Sequence, residues 1–74
     1  MTGASVPQRV NDFVTSKYPH VVCDPCIVDA LGLTQQAHAA QITGALGTTS
    51  DFVRERGTCS LCKNNRVVIR ATRP

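Results

Sequence analysis

CDPCIVDALGLTQQAHAAQITGALG, residues 23–47, contains two helix starts and two helix stops in succession. Asp24-Pro25 is a capping residue followed by proline: the Asp side chain accepts a free first-turn amide, and proline's missing N–H is not needed there. This predicts a short helix over residues 26–31, closed by Gly32. Thr34 is a good cap for a longer helix over residues 35–46 that ends at Gly47. Two helices separated by so brief a turn have the length and punctuation of a helix-turn-helix. On the longer helix and in the turn before it, Leu33, Ala37, Ile42, Ala45 and Leu46 are expected to turn inward. Gln35, Gln36, Ala39 and Thr43 are expected to face outward, without charge.

Upstream, Ser5 followed by Pro7 marks another helix start, and Val6, Val10, Phe13, Val14 and Lys17 recur at helical spacing. A helix over about residues 6–18 is therefore expected, stopped by Pro19, with His20-Val21-Val22 as an extended lead into Cys23. Downstream, residues 48–51 form a polar connector. Residues 52–58 and 66–72 then read as two strands flanking Cys59-Ser60-Leu61-Cys62-Lys63-Asn64-Asn65. Alternation places Val67, Ile69 and Ala71 on one strand face and Arg66 and Arg70 on the other. The fold class is α+β: three helices with a helix-turn-helix, then a C-terminal β-hairpin, in winged-helix order.

The chain of 74 residues reads as one domain, residues 1–74, without repeats or a linker. A domain this short buries little apolar surface, and its only aromatics are Phe13, Tyr18 and Phe52, so an additional staple is expected. The cysteines supply it. They form a C-x-x-C pair, Cys23 and Cys26, and a second, Cys59 and Cys62, with 32 residues between the pairs. Four soft thiolates match the tetrahedral preference of Zn²⁺ and fill its shell, which points to one structural zinc and against a catalytic one that keeps a position free. Removing that ion is expected to unfold the domain. Iron–sulfur clusters also take four cysteines. A thiol switch is the redox alternative, but no βαβ context of the thioredoxin kind surrounds either pair. His20 and His38 read as ordinary histidines rather than ligands. In the second pair, Asn64 and Asn65 suit a left-handed turn.

Charge is divided along the chain. Residues 54–74 carry Arg54, Arg56, Lys63, Arg66, Arg70 and Arg73 against Glu55 alone, while residues 1–53 carry Arg9 and Lys17 against four aspartates. A basic hairpin beside a helix-turn-helix is an electrostatic footprint for phosphate. Four thiolates with one Zn²⁺ lower the formal charge from +3 to +1, so Lys63 and Arg66, nearest Cys62, also suit neutralisation of the metal centre. Arg54, Arg56 and Arg70, with Arg73, are freer to meet a partner. Gln35, Gln36 and Thr43 are of the types that read base edges, as is Gln41.

Residues 23–71 resemble a small bacterial or phage-type winged helix with a zinc knuckle built into the wing, a likeness of architecture covering about two-thirds of the chain. The resemblance implies DNA binding and a regulatory role. The longer helix lacks the Lys and Arg usual near a recognition helix. The alternative is a protein-interaction adaptor with structural zinc and no nucleic-acid contact, its small residues Ala39 and Thr43 admitting a partner helix. No Ser-His-Asp order, phosphate loop or open metal site supports an enzyme or a small-molecule substrate. No stretch is long and apolar enough for a membrane span, and MTGASVPQRV lacks the features of a signal peptide, so a cytoplasmic protein is expected.

Overall fold

Helix α1 (Val6–Ser16) begins where Ser5 and Pro7 predict: Ser5 Oγ accepts the Gln8 N–H at 3.3 Å, and proline occupies the first turn. Val10 and Val14, one turn apart, are fully buried, with Val6 and Phe13 packed alongside. The helix ends two residues short of residue 18, because the Lys17 and Tyr18 amides bond the Val14 and Thr15 carbonyls in a tighter final turn. The structure is a computed structural model and describes residues 5–73. The signal-peptide reading of the N-terminus rests partly on residues 1–4, outside the described residues.

The chain continues through β1 (Val22–Cys23), α2 (Asp24–Leu31), α3 (Gln36–Leu46), β2 (Phe52–Thr58) and β3 (Asn65–Ala71). Of the expected extended lead, only Val22 is in a strand, which continues into Cys23. Val22 pairs with Ile69 and Cys23 with Val68, which gives a three-stranded antiparallel sheet in the order β1-β3-β2. β2 and β3 pair along their whole length, from Phe52 with Ala71 to Thr58 with Asn65. The helices cover one sheet face around Val10, Val14, Val22, Ile27, Ile42, Phe52, Ile69 and Ala71. Arg9 closes one seam by donating to the Leu31 carbonyl at the end of α2, 2.8 Å away.

Two helix caps differ from expectation. Cys23 is the N-cap of α2, and Asp24 is its first residue. Asp24 does not cap because its carboxylate is taken by residues distant in sequence. Gln35, not Thr34, precedes α3 in the extended conformation, without a side-chain cap bond. Gly32 does close α2 as expected, in the left-handed conformation at φ +66°.

Helix α3 is also rotated relative to its expected face. Ala39, Ile42 and Thr43 are buried, while Ala37 and Ala45 are exposed. The Thr43 hydroxyl determines this orientation: it donates to Asp24 Oδ1 at 2.8 Å, and Arg54 Nη2 donates to Asp24 Oδ2 at 2.9 Å. One carboxylate thus joins α2, α3 and β2 in a largely buried network, where satisfied polar contacts fix one packing arrangement. On β3, Ile69 and Ala71 face the core as expected. Val67 shares their side but is 37% exposed near the hairpin's closed end, and Val68 on the opposite face is buried against Cys23 and Cys59.

Arg54 reaches Asp24 by passing over the end of α3, where a Cβ on Gly47 would lie 2.8 Å from Arg54 Cβ, too close for any side chain. A Cβ on Gly44 would meet only an Arg54 guanidinium nitrogen at 3.9 Å. Gly47→Ala is therefore expected to destabilise the metal-loaded protein by about 1–3 kcal/mol through overpacking. Gly44→Ala should stabilise it by roughly 0.5–1 kcal/mol by removing a flexible residue from the helix interior. Thr43→Val, which strips a donor from a buried carboxylate, should cost about 1–3 kcal/mol. Urea unfolding followed by circular dichroism separates the one stabilising substitution from the two destabilising ones.

Candidate metal centre

Cys23 and Cys26 stand three residues apart at the start of α2, a spacing that puts both side chains on one side of the first turn. Cys59 follows β2, and Cys62 lies in the connection that closes the hairpin. That connection is fixed by the backbone. The Cys59 amide bonds the Asn64 carbonyl and the Lys63 amide bonds the Cys59 carbonyl, each at 3.0 Å. The left-handed residue is Lys63, at φ +66°, rather than Asn64 or Asn65. Ser60 fastens the turn to the residue before β1: its amide and hydroxyl both donate to the Val21 carbonyl, at 3.0 and 2.6 Å. The centre therefore sits at the closed end of the hairpin, and protein hydrogen bonds, as well as the core, connect its two halves.

The four sulfurs lie within 4.8 Å of one another. Cys23 and Cys62 are 3.6 Å apart and Cys26 and Cys59 are 3.7 Å apart. A tetrahedral ion with metal–sulfur bonds of about 2.3 Å requires sulfur–sulfur edges of about 3.8 Å; the two shortest edges match that value, and no pair exceeds 4.8 Å, so the donor set is of the right size for such an ion.

The thiols, left to themselves, do not share one protonation preference. Burial pushes Cys23 and Cys26 above the ordinary thiol value. At Cys59 burial also pushes upward, but the backbone N–H donors of Cys62 and Leu61 outweigh it and hold the thiol below its ordinary value. The Leu61 amide stands 3.4 Å from Cys59 Sγ. Cys62 is brought down to about 6, chiefly by the backbone N–H of Asn64. Two sites resist ionisation because they are buried, and two favour it because backbone amides point at their sulfurs; four thiolates this close would in addition repel one another. A bound dication removes that repulsion and allows all four to serve as ligands.

The residues read as nucleic-acid contacts separate into different surroundings. Gln35 and Gln36 are exposed at the start of α3. Thr43 is fully buried on Asp24, so it is not on a contact surface. Arg54 is turned inward to the same carboxylate, and its Nε is buried without a partner. Arg70 stands 3.9 Å from Glu55, and Arg73 pairs with Asp51 at 2.9 Å, so neither is as free as the sequence suggests. Arg56 is exposed. The strand register aligns Arg54 with Ile69 and Arg56 with Val67, on the helix-covered face, whereas Arg66 and Arg70 point the other way. The expected set of arginines does not form one stripe. Asp24 was legible only as a cap, since nothing local signals partners 19 and 30 residues away.

No protein-family model, curated protein or solved structure matches this chain. Its class therefore rests on its own geometry: an α+β fold with three helices, a three-stranded antiparallel sheet and a four-cysteine cluster able to hold a metal ion. Among the described residues, no helix is long and apolar enough to cross a membrane.

Cobalt is a visible probe of this geometry. Titration of the metal-free chain with Co²⁺ should saturate at one equivalent, with the intense d–d and sulfur-to-metal bands of tetrahedral thiolate coordination. Cys59→Ser should lose charge-transfer intensity and bind more weakly. Octahedral, weakly coloured cobalt in the unsubstituted chain would contradict the four-sulfur site.

Proposed function

We propose that this chain is a zinc-stapled, winged-helix-like DNA-binding domain, with the ion as a structural staple and the closed end of the hairpin as its phosphate contact. The observation that carries the reading is the distribution of unpaired cations. Arg54, Arg70 and Arg73 each have a carboxylate within 4 Å. Among the described residues the other five cations have none: Arg9 donates to the Leu31 carbonyl and Lys17 lies over the Phe13 ring, while Arg56, Lys63 and Arg66, without such a partner, lie at or beside the turn that bears Cys59 and Cys62.

Topology supports the same reading. The order helix, strand, helix, helix, hairpin, with the first strand paired to the last, is the order a winged helix would have, which supports the reading. In that arrangement α3 lies toward a groove and the hairpin toward the backbone. The exposed polar side of α3 offers Gln35, Gln36, His38 and Gln41, amide and imidazole groups without a phosphate clamp. Binding led by the hairpin and weakly selective for sequence is the consequence. A full shell of cysteines leaves a substrate no coordination position, which favours a binding module over an enzyme.

A protein-adaptor role is the second reading. It is favoured by an apolar groove of about 240 Å³ between α1 and α3, lined by Pro7, Ile42, Ala45 and Leu46 with His38 and Gln41 at its side.

Fluorescence anisotropy with the zinc-loaded protein and a mixed-sequence duplex, between about 50 and 200 mM salt, tests the proposal. Affinity should fall linearly on logarithmic axes. Replacing Arg56 and Arg66 together by Ala should reduce the slope by about 1.8, at about 0.9 per phosphate contact. Arg73→Ala should leave it unchanged. No binding at the lowest salt would reject DNA contact and leave the adaptor.

A further inference from the structure

The four sulfurs meet solvent unequally. Cys23 and Cys59 are completely buried, whereas Cys26 and Cys62 are half-buried and line an open pocket of about 360 Å³ with Pro25, Leu61 and Arg66. Leu61, on the rim, is 46% exposed and does not close it. A small polar solute thus reaches the centre from one side, and it meets one cysteine of each motif.

The sulfur contacts follow a second pattern. The pairs in hydrogen-bond contact are Cys62 with Cys23 and Cys26 with Cys59, both running between the motifs. Each reachable sulfur therefore touches a buried sulfur from the other segment. We propose that Cys62 and Cys26 form a peroxide-sensitive modification site, at which oxidation exchanges the metal staple for a disulfide joining the same two segments.

The chemistry balances with a hydroperoxide as the oxidant. The exposed thiolate attacks the outer peroxide oxygen, an S–O bond forms as the O–O bond breaks, and the departing alkoxide or hydroxide takes a proton from water. The sulfur has then lost two electrons as a sulfenic acid. The buried thiolate of the other motif displaces hydroxide from it, the S–O bond breaks, an S–S bond forms, and water leaves after protonation. Contacts of 3.6 and 3.7 Å must close to about 2.05 Å, a shift within reach of side-chain rotation and a small backbone adjustment. Only two thiolates then remain for the ion, which is released. The Ser60 bonds to Val21 keep the turn against β1 during the exchange.

The release step rests on the metal-centre reading; the disulfide pattern does not. Both are read from the full metal-loaded chain treated with hydrogen peroxide, with ion release followed by a colorimetric chelator and disulfides mapped by non-reducing tryptic digestion. Cleavage at Lys17, Arg54, Arg56 and Lys63 places Cys23 and Cys26 in peptide 18–54, and Cys59 and Cys62 in peptide 57–63. The expected product is the first peptide joined to the second, formed in step with metal release and reversed by a dithiol reductant. Disulfides confined to either peptide, or sulfinic acid without cross-linking, would overturn the proposal. If the starting protein holds no ion, the metal-centre reading fails, and the peptide map still decides the disulfide. Brief iodoacetamide treatment gives a second measurement: Cys62 and Cys26 should be alkylated ahead of Cys23 and Cys59. Equal labelling of all four overturns the one-sided access on which the site depends.

Discussion

Four thiols within 4.8 Å of one another impose a charge conflict that the protein chain does not resolve alone. Backbone amides in the hairpin turn stabilise anions at Cys59 and Cys62, while burial opposes ionisation at Cys23 and Cys26. Repulsion prevents all four from ionising together unless a cation lies among them. This conflict is concentrated where β1 becomes α2 and where β2 turns into β3, so an ion placed there ties together both long-range joints of the fold. The joints are not empty otherwise: β1 pairs with β3, and Ser60 bonds Val21 twice. Protein contacts set the register, and a bound ion would supply the binding free energy that a small core lacks.

Cys23 and Asp24 are adjacent, and each begins a different long-range assembly. Cys23 joins the sulfur cluster, while Asp24 receives Thr43 from α3 and Arg54 from β2. The first turn of α2 thereby fixes the hairpin end and the orientation of α3 at once. A displacement of the metal centre would be felt by Asp24, one residue away, and through it by α3. The network has a functional consequence as well. It withdraws Thr43 and Arg54 from the surface, leaving α3 to present amides and small side chains.

Signals that act within a few residues were legible in the sequence. Ser5 caps α1, Gly32 ends α2, the strands fall within one residue of the expected limits, and the four cysteines come together. What the sequence concealed depends on distant partners. Asp24 has the composition of a cap, and only the fold shows its carboxylate occupied elsewhere. The rotation of α3 followed from Thr43 seeking that carboxylate, against an apolar pattern in which Ala37, Ala39 and Ala45 are nearly interchangeable by hydropathy. Val68 was concealed for a related reason: simple alternation assigns it to solvent, but the sulfur cluster forms a small second core on that sheet face.

The position of the free cations follows from the same geometry. A dication with four thiolates carries a formal charge of −2, and Arg56, Lys63 and Arg66 lie in the segments that lead into and out of its hairpin turn. At an ionic strength of about 0.1 M, fields extend roughly 10 Å, so an approaching phosphate senses the thiolates as well as the cations. The thiolate charge weakens the attraction, while the metal-fixed turn removes the entropy cost of ordering the cations at the moment of contact. On the proposed DNA-binding reading, their fixed arrangement, more than the net charge of the chain, is what the hairpin would contribute to recognition.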